Sequence, residues 1–281
     1  MKIEPGMVAV VTGAGSGIGR ELAVHAAERG MRVVAADIEA PALTDTVNLL
    51  GALGAEAIGV RTDVSLAADV ERLADAAYEQ FGAVNLLCNN AGVFMGGLMW
   101  ERTAADWDWV MGVNVTGITH AISTFVPRML ASEQPGHLVN TASIGGLITG
   151  AYSGPYITSK FAVVGLTDCL AQDLRTTGKP VGASVLLPSA IDTGIARSKR
   201  NRPERWVDRD REPGADAIFV EDTLAETTGA GMGPADVAPI VFAAVEAEQF
   251  WIPTKPSYHD QIRQRYEDMQ ELRLPSSPAI D

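Results

Sequence analysis

The sequence predicts a doubly wound parallel α/β sheet of about seven strands, built as a single domain with helices on both faces. Three observations carry that prediction. Short β-branched runs recur along the whole chain, near-continuously apolar rather than alternating, which suits strands covered on both faces. Ala/Leu/Glu-rich stretches of helical length separate them. No linker, low-complexity tract or repeat beyond this βα rhythm interrupts the 281 residues, so one domain is preferred over two.

The strands are expected at "MVAVV" (7–11), "MRVVAA" (31–36), "AIGV" (57–60), "NLLCN" (85–89), "HLVNTA" (137–142) and "ASVLLP" (183–188), with a weaker seventh at "FWIPT" (250–254). Helical segments are expected at 18–29, 67–81, 103–131, 156–177 and 235–248. The rhythm fails at roughly 194–234, which is rich in Arg, Asp, Pro and Gly. A patternless segment that long in a compact domain reads as a substrate lid, a binding loop or a disordered stretch. Its Arg197–Arg211 patch is interleaved with Glu204, Asp208 and Asp210, which reads as a solvated loop.

Composition removes several function classes. A net charge of −13 argues against nucleic acid as partner. No run approaches 18 apolar residues, so no membrane span or membrane partner is expected. Glu4, Pro5 and the Thr12–Gly13 break make the N-terminal apolar run too short for a signal peptide. Cys88 and Cys169 are far apart and form no CxxC, which fits a reduced, cytoplasmic protein. His25, His120, His137 and His259 are scattered without ligand spacing, so no metal is expected. The Trp100, Trp107 and Trp109 cluster reads as packing.

The chemistry begins after the first strand. "TGAGSGIGR" places Gly13, Gly17 and Gly19 in a G-x-x-x-G-x-G turn, which lets backbone approach closely and aims helix N–H groups at a pyrophosphate; Ser16 and Ile18 fill the turn. Asp37 closes the second strand, twenty residues beyond Gly17. Its carboxylate can accept both hydroxyls of an adenosine ribose and would repel a 2′-phosphate, favouring NAD. Ser16 and Ile38 flank that site without charge, while Arg20 and Arg61 are the available compensating cations. Asp37 is also placed to cap the following helix. Asp63 and Val64, ending the third strand, belong beside the adenine. Asn90, Ala91 and Gly92, in "NNAG" after the fourth, allow close approach by the same ligand.

"SGPYITSKF" sets Tyr156 four residues before Lys160, on one helical face. With "TGAGSGIG", "NNAG", Asn114 and Ser143 in this order and spacing, the sequence closely resembles the short-chain dehydrogenase/reductase superfamily, from about residue 7 to 193 and again from about 235. The resemblance implies Asn114, Ser143, Tyr156 and Lys160 as the catalytic set, and a nicotinamide contact from Pro188 to Thr193 that includes Ile191. Ser189 stands where the family usually has glycine. The three-residue interval between Tyr and Lys goes, in that family, with alcohol/carbonyl rather than enoyl chemistry. Asn114 would hold a water that links Lys160 to solvent.

In that setting a nearby ammonium, aided by the positive nicotinamide of NAD, would lower the phenol pKa from about 10, so Tyr156 could take a hydroxyl proton while the substrate carbon gives hydride to NAD. Ser143 would hold the same oxygen. It lacks a G-x-S-x-G frame, so it does not read as a hydrolase nucleophile. Met95 and Leu147 are candidates for the substrate wall, and Ile195, Trp206, Ile218 and Phe219 for closing over an apolar or aromatic alcohol or ketone. The Tyr156 helix is apolar around much of its circumference, which with the resemblance implies a homodimer or homotetramer. Two rival readings remain open from the sequence: an NADP-dependent ketone reductase, and a non-catalytic dinucleotide-sensing module.

Overall fold

The computed structural model describes residues 1–209, 212, 214–255 and 258–276. Seven parallel strands, β1 (Val8–Thr12), β2 (Arg32–Asp37), β3 (Ala57–Arg61), β4 (Leu86–Asn89), β5 (Gly136–Thr141), β6 (Val181–Leu187) and β7 (Trp251–Pro253), form one sheet. Its order is β3-β2-β1-β4-β5-β6-β7. The direction of winding reverses between β1 and β4, and such a reversal opens a crevice at the strands' carboxyl ends.

Both faces are covered. On one, α1 (Gly17–Glu28) and α8 (Pro234–Glu246) bury Leu22, Ala26, Val241, Phe242 and Val245 against β1 and β2, with α2 (Ala40–Ala52) adding Leu43 and Leu50. On the other lie α3 (Ala67–Phe81), α4 (Ala104–Met111), α5 (Gly117–Ser132) and α6 (Gly154–Thr177), burying Val70, Leu73, Trp109, Phe125 and Leu174. Each fully buried large side chain contributes about 1.5–3 kcal/mol, which explains why the strand runs carry so few polar residues. The exceptions are satisfied: Asn89 Nδ2 donates to Asn140 Oδ1 at 2.9 Å, and Asn140 Nδ2 to Thr167 Oγ1 at 3.0 Å, tying β4, β5 and α6 together.

Two sequence expectations need correction. The segment 103–131 is not one helix. Thr103 caps α4 in a reciprocal box with Asp106, and the chain then loosens into a single π turn, Gly112–Thr116, before α5 resumes. Segment 194–234 is not patternless either. It holds 3-10 turns at Gly194–Asn201 and Glu204–Trp206, then α7 (Ala215–Gly229). α7 is anchored by Asp216, which accepts from Leu98 N at 2.7 Å and pairs with the buried Arg102 at 2.9 Å. A last helix, α9 (His259–Gln270), and α2 were likewise absent from the expected helices. Among the described residues, no helix is long and apolar enough to cross a membrane.

Candidate active site

The site grows from the crevice at β1 and β4. Gly13 and Gly17 sit at φ of +67° and +53°, in the left-handed region that favours glycine. A Cβ on Gly13 would lie 2.9 Å from Ala91 Cα, and one on Gly17 would lie 3.0 Å from Thr193 Cγ2. The turn is thereby wedged between the end of β4 and the segment after β6. Gly19 does different work. It does not border the cleft, and its Cβ would meet Gly13 O at 2.1 Å, so it lets α1 close onto the turn. Thr12 Oγ1 accepts from Asn90 N at 3.0 Å and Ala91 N at 3.1 Å, fixing "NNAG" to β1.

At one end of the cleft Asp37 accepts from Gly15 N and Glu39 N, both at 2.8 Å. It therefore braces the glycine turn and the entry to α2, whose N-cap is Glu39 rather than Asp37. Burial pushes its carboxyl above the usual range, and the two N–H donors oppose that shift. The two anticipated compensating cations are engaged on backbone: Arg20 with Gly15 O, and Arg61 with Ile38 O at 3.2 Å.

At the other end Tyr156 and Ser143 meet. Ser143, extended at φ −175°, caps the 3-10 turn Ile144–Gly146 and donates to Pro188 O at 3.4 Å. Its hydroxyl is near enough to the Tyr156 phenol to oppose the rise that burial causes in the phenol pKa. Lys160, buried at 4% exposure, places Nζ 5.5 Å from the Tyr156 ring centroid and donates to Thr141 O at 2.9 Å. The two side chains thus share one face of α6 and one side of the cleft. The ammonium by itself does not bring the phenol pKa down. Burial raises the phenol pKa, with only the Ser143 hydroxyl lowering it, and burial brings the Lys160 ammonium down to about 8. Desolvation of each group outweighs their mutual effect across a ring's width.

Asn114 stands on the π turn, fully buried and behind the cleft wall. Its amide accepts from Val93 N at 2.8 Å and donates to Val93 O at 3.0 Å and to Ser159 Oγ at 2.9 Å. It pins the strand that leaves Gly92, and Ser159, which the sequence reading missed, locks it to α6 one residue before Lys160.

The enclosed space is about 350 Å³, within the range of small-molecule sites. Ser16, Ile18, Ile38, Asp63, Val64, Asn90, Gly92, Pro188, Ile191 and Thr193 all border it, as do Gly13, Gly17, Asp37, Ala91, Ser143, Tyr156 and Lys160. Ser189 keeps φ out of the left-handed region and bonds through N to Thr254 Oγ1 at 3.0 Å, so the family's glycine is not needed at that turn. The substrate wall differs from expectation. Met95 packs in the core, Leu147 packs behind β5 and β6, and Ile218 and Phe219 are exposed. Phe94, Ile144, Ile148, Ile195, Leu224 and Tyr258 border the space instead. No group of three or more potential metal ligands occurs among the described residues.

The described part of the Arg-rich patch, residues 197–209, is not a free solvated loop; Asp210 and Arg211 lie outside the described residues. Arg202 pairs with Asp106 at 2.7 Å and Arg205 with Asp63 at 2.7 Å, across the carboxyl edge of the sheet.

With this geometry established, comparison with known proteins is decisive. The family profile described as short chain dehydrogenase matches residues 7–204. The chain belongs to that family. As a short chain dehydrogenase it is an oxidoreductase, and its relatives span its length. A CLA biosynthesis dehydrogenase/reductase from Lactiplantibacillus plantarum is 34% identical over 92% of this chain and 91% of its own. A 1-deoxy-11-beta-hydroxypentalenate dehydrogenase from Streptomyces exfoliatus is 34% identical over 95% and 90%. The crystal structure of a short chain dehydrogenase/reductase from Burkholderia phymatum, in complex with NAD, superposes with a TM-score of 0.97 at 46% identity, covering 99% of each chain.

Proposed function

We propose that this short chain dehydrogenase uses NAD to interconvert a secondary alcohol and a ketone, taking an uncharged apolar or aromatic substrate. One observation carries the reading. The Tyr156 phenol, with Ser143 and the buried Lys160 ammonium, borders the same cleft as the glycine turn and Asp37.

The residues fit a nicotinamide dinucleotide. Gly13 and Gly17 keep side chains out of the turn, so its backbone is open to a pyrophosphate. Asp37, held by two N–H donors, keeps lone pairs for ribose hydroxyls and presents a negative charge where NADP carries a phosphate. Gly92 opens a path to Lys160 Nζ and Asn114 Oδ1, each 3.5 Å from where its Cβ would stand. Bound there, the nicotinamide supplies the hydride exchange with the substrate carbon.

The chain's own groups do the rest. Tyr156 exchanges a proton with the substrate oxygen, and Ser143 donates to that oxygen as charge develops. Lys160 contributes a fixed positive charge and a donor beside Gly92. Asn114 holds the Val93 backbone in place, so the wall opposite Tyr156 does not drift. The substrate side is lined by Phe94, Ile144, Ile148, Ile195 and Leu224, with no charged group among them, hence an uncharged substrate. The hydroxypentalenate relative, named for a hydroxyl-bearing carboxylate, supports oxidation of an alcohol, while the uncharged character rests on the lining alone. Partly exposed Ile157, Phe161 and Val164 on α6 support self-association through that helix.

The test is absorbance of reduced nicotinamide with a panel of apolar secondary alcohols. Tyr156→Phe should lower kcat by about 10²–10⁴-fold with NAD binding kept. Turnover within tenfold of wild type would remove Tyr156 from the chemistry. Tighter binding of NADP than NAD would overturn the role given to Asp37.

A further inference from the structure

We propose that residues 200–206 form a clasp that closes over the adenine half of the dinucleotide, with Arg205 as the positioning residue that seats Trp206. The proposal rests on the reading of the cleft as an NAD site and adds a binding element on the side of the cleft away from Tyr156.

The segment leaves the nicotinamide end at Thr193 and runs across the carboxyl edge of the sheet, fastened at three places. After β2, Glu39 receives Asn201 Nδ2 at 3.2 Å and pairs with Arg200 at 3.5 Å. After β3, Arg205 Nη2 donates to Asp63 Oδ2 at 2.7 Å and Ser65 Oγ at 2.6 Å. On α4, Arg202 pairs with Asp106 at 2.7 Å and lies 5.2 Å from the Trp109 ring centroid. Trp206 sits where a Cβ on Gly112 would be 3.0 Å from its ring, and the Arg205 guanidinium covers that ring at 4.1 Å. Gly112 thus admits the indole, and three carboxylates, Glu39, Asp63 and Asp106, with the Ser65 hydroxyl, hold the strap taut.

What lies beneath is the adenine end. Asp63, Val64, Trp109 and Val113 border the cleft from the sheet side, and Asn201 and Pro203 border it from the strap. Trp109, which borders the cleft, buries Nε1 without a hydrogen-bond partner, and Arg202, stacked over its ring, leaves Nε and Nη2 likewise unpartnered. Unpartnered buried donors are costly, and the ring nitrogens of a purine are acceptors of the kind they lack. The clasp predicts that a substituent on the adenine exocyclic amine meets protein.

Isothermal titration with NAD and with N6-(2-aminoethyl)-NAD tests this on wild type, on Arg205→Gln, and on Arg205→Gln with Trp206→Ala. Wild type should bind the N6-substituted dinucleotide at least tenfold more weakly than NAD. The double variant should bind NAD about tenfold more weakly and treat the two dinucleotides alike, with Arg205→Gln intermediate. Nicotinamide mononucleotide, which lacks adenosine, should bind all three proteins equally. Equal affinities of wild type for NAD and its N6 derivative, or variants that keep the wild-type ratio, overturn the clasp and leave the NAD reading intact. Failure of wild type to bind NAD at all overturns that reading and the clasp with it.

Discussion

Replacing Lys160 by methionine separates what the ammonium does for chemistry from what it costs the fold. Lys160 is 4% exposed, its Nζ donates to Thr141 O at 2.9 Å, and burial brings its pKa from 10.5 down to about 8. Because the folded value of this cation is depressed, the unfolded chain binds the extra proton between about pH 8 and 10.5, and stability rises with pH across that window. The penalty is fully present below pH 8 and fades as the unfolded value is approached. A drop of roughly 2.5 units, from 10.5 to about 8, corresponds to about 3 kcal/mol. Roughly 2 kcal/mol of it should be relieved between about pH 7 and 9.5.

Methionine fills a similar volume and carries no charge, so the variant lacks this slope. Loss of the donor to Thr141 O works against the variant by about 1–3 kcal/mol, so the sign at neutral pH alone decides nothing. The pH trend does. Urea unfolding of ligand-free wild type and Lys160→Met, run from about pH 7 to 9.5, should show wild type gaining about 2 kcal/mol relative to the variant. A difference that stays flat would mean the ammonium is not desolvated, and the electrostatic account of this cleft would fail with it.

Gly19→Ala should lower the melting temperature, although the same change at an open helical position gains about 1 kcal/mol. Here the new methyl falls 2.1 Å from Gly13 O, and a destabilisation of about 1–3 kcal/mol is expected by thermal melt. Ser143→Ala removes the one interaction that lowers the Tyr156 pKa. The rise of kcat with pH should therefore move to higher pH, with kcat itself down about 10²–10³-fold. Ser159→Ala leaves Asn114 Nδ2 short of its 2.9 Å acceptor in a fully buried place. It should cost about 1–3 kcal/mol by denaturant titration and reduce kcat more than it raises KM.

The fold was legible because parallel strands covered on both faces leave a strong signature. The runs at "MVAVV" and "NLLCN" sit within a residue or two of β1 and β4. The three helices that went unseen were hidden by different physics. α2 opens with Pro41 and carries Thr44, Thr46, Asn48 and Gly51, so its helical character comes from burying Leu43, Thr46 and Leu50, not from propensity. α7 depends on the Asp216–Arg102 pair, whose partners are 114 residues apart. α9 is strongly polar and buries little, so no apolar stripe announced it. The same limit applies to the site. Local motifs gave Gly13, Asp37, Ser143, Tyr156 and Lys160, which all border the cleft. Ser159 and the arginine strap depend on long-range pairs, 45 residues apart for Asn114 and Ser159 and 142 for Asp63 and Arg205, that no spacing rule encodes.

The ammonium alone does not meet the electrostatic expectation, which also invoked the nicotinamide charge, and the reason is instructive. Helical spacing places Tyr156 and Lys160 on one face, but a shared face does not set a contact distance, and Nζ stands 5.5 Å from the ring centroid with its proton committed to Thr141 O. At that separation the Coulombic help to a phenolate is smaller than the cost of desolvating it, so the phenol pKa goes up while the ammonium comes down to about 8. The two values move apart, and near neutrality the proton stays on the phenol. The Ser143 hydroxyl is the part of that balance the fold supplies in advance, which is why its removal should move the pH profile and not merely the rate.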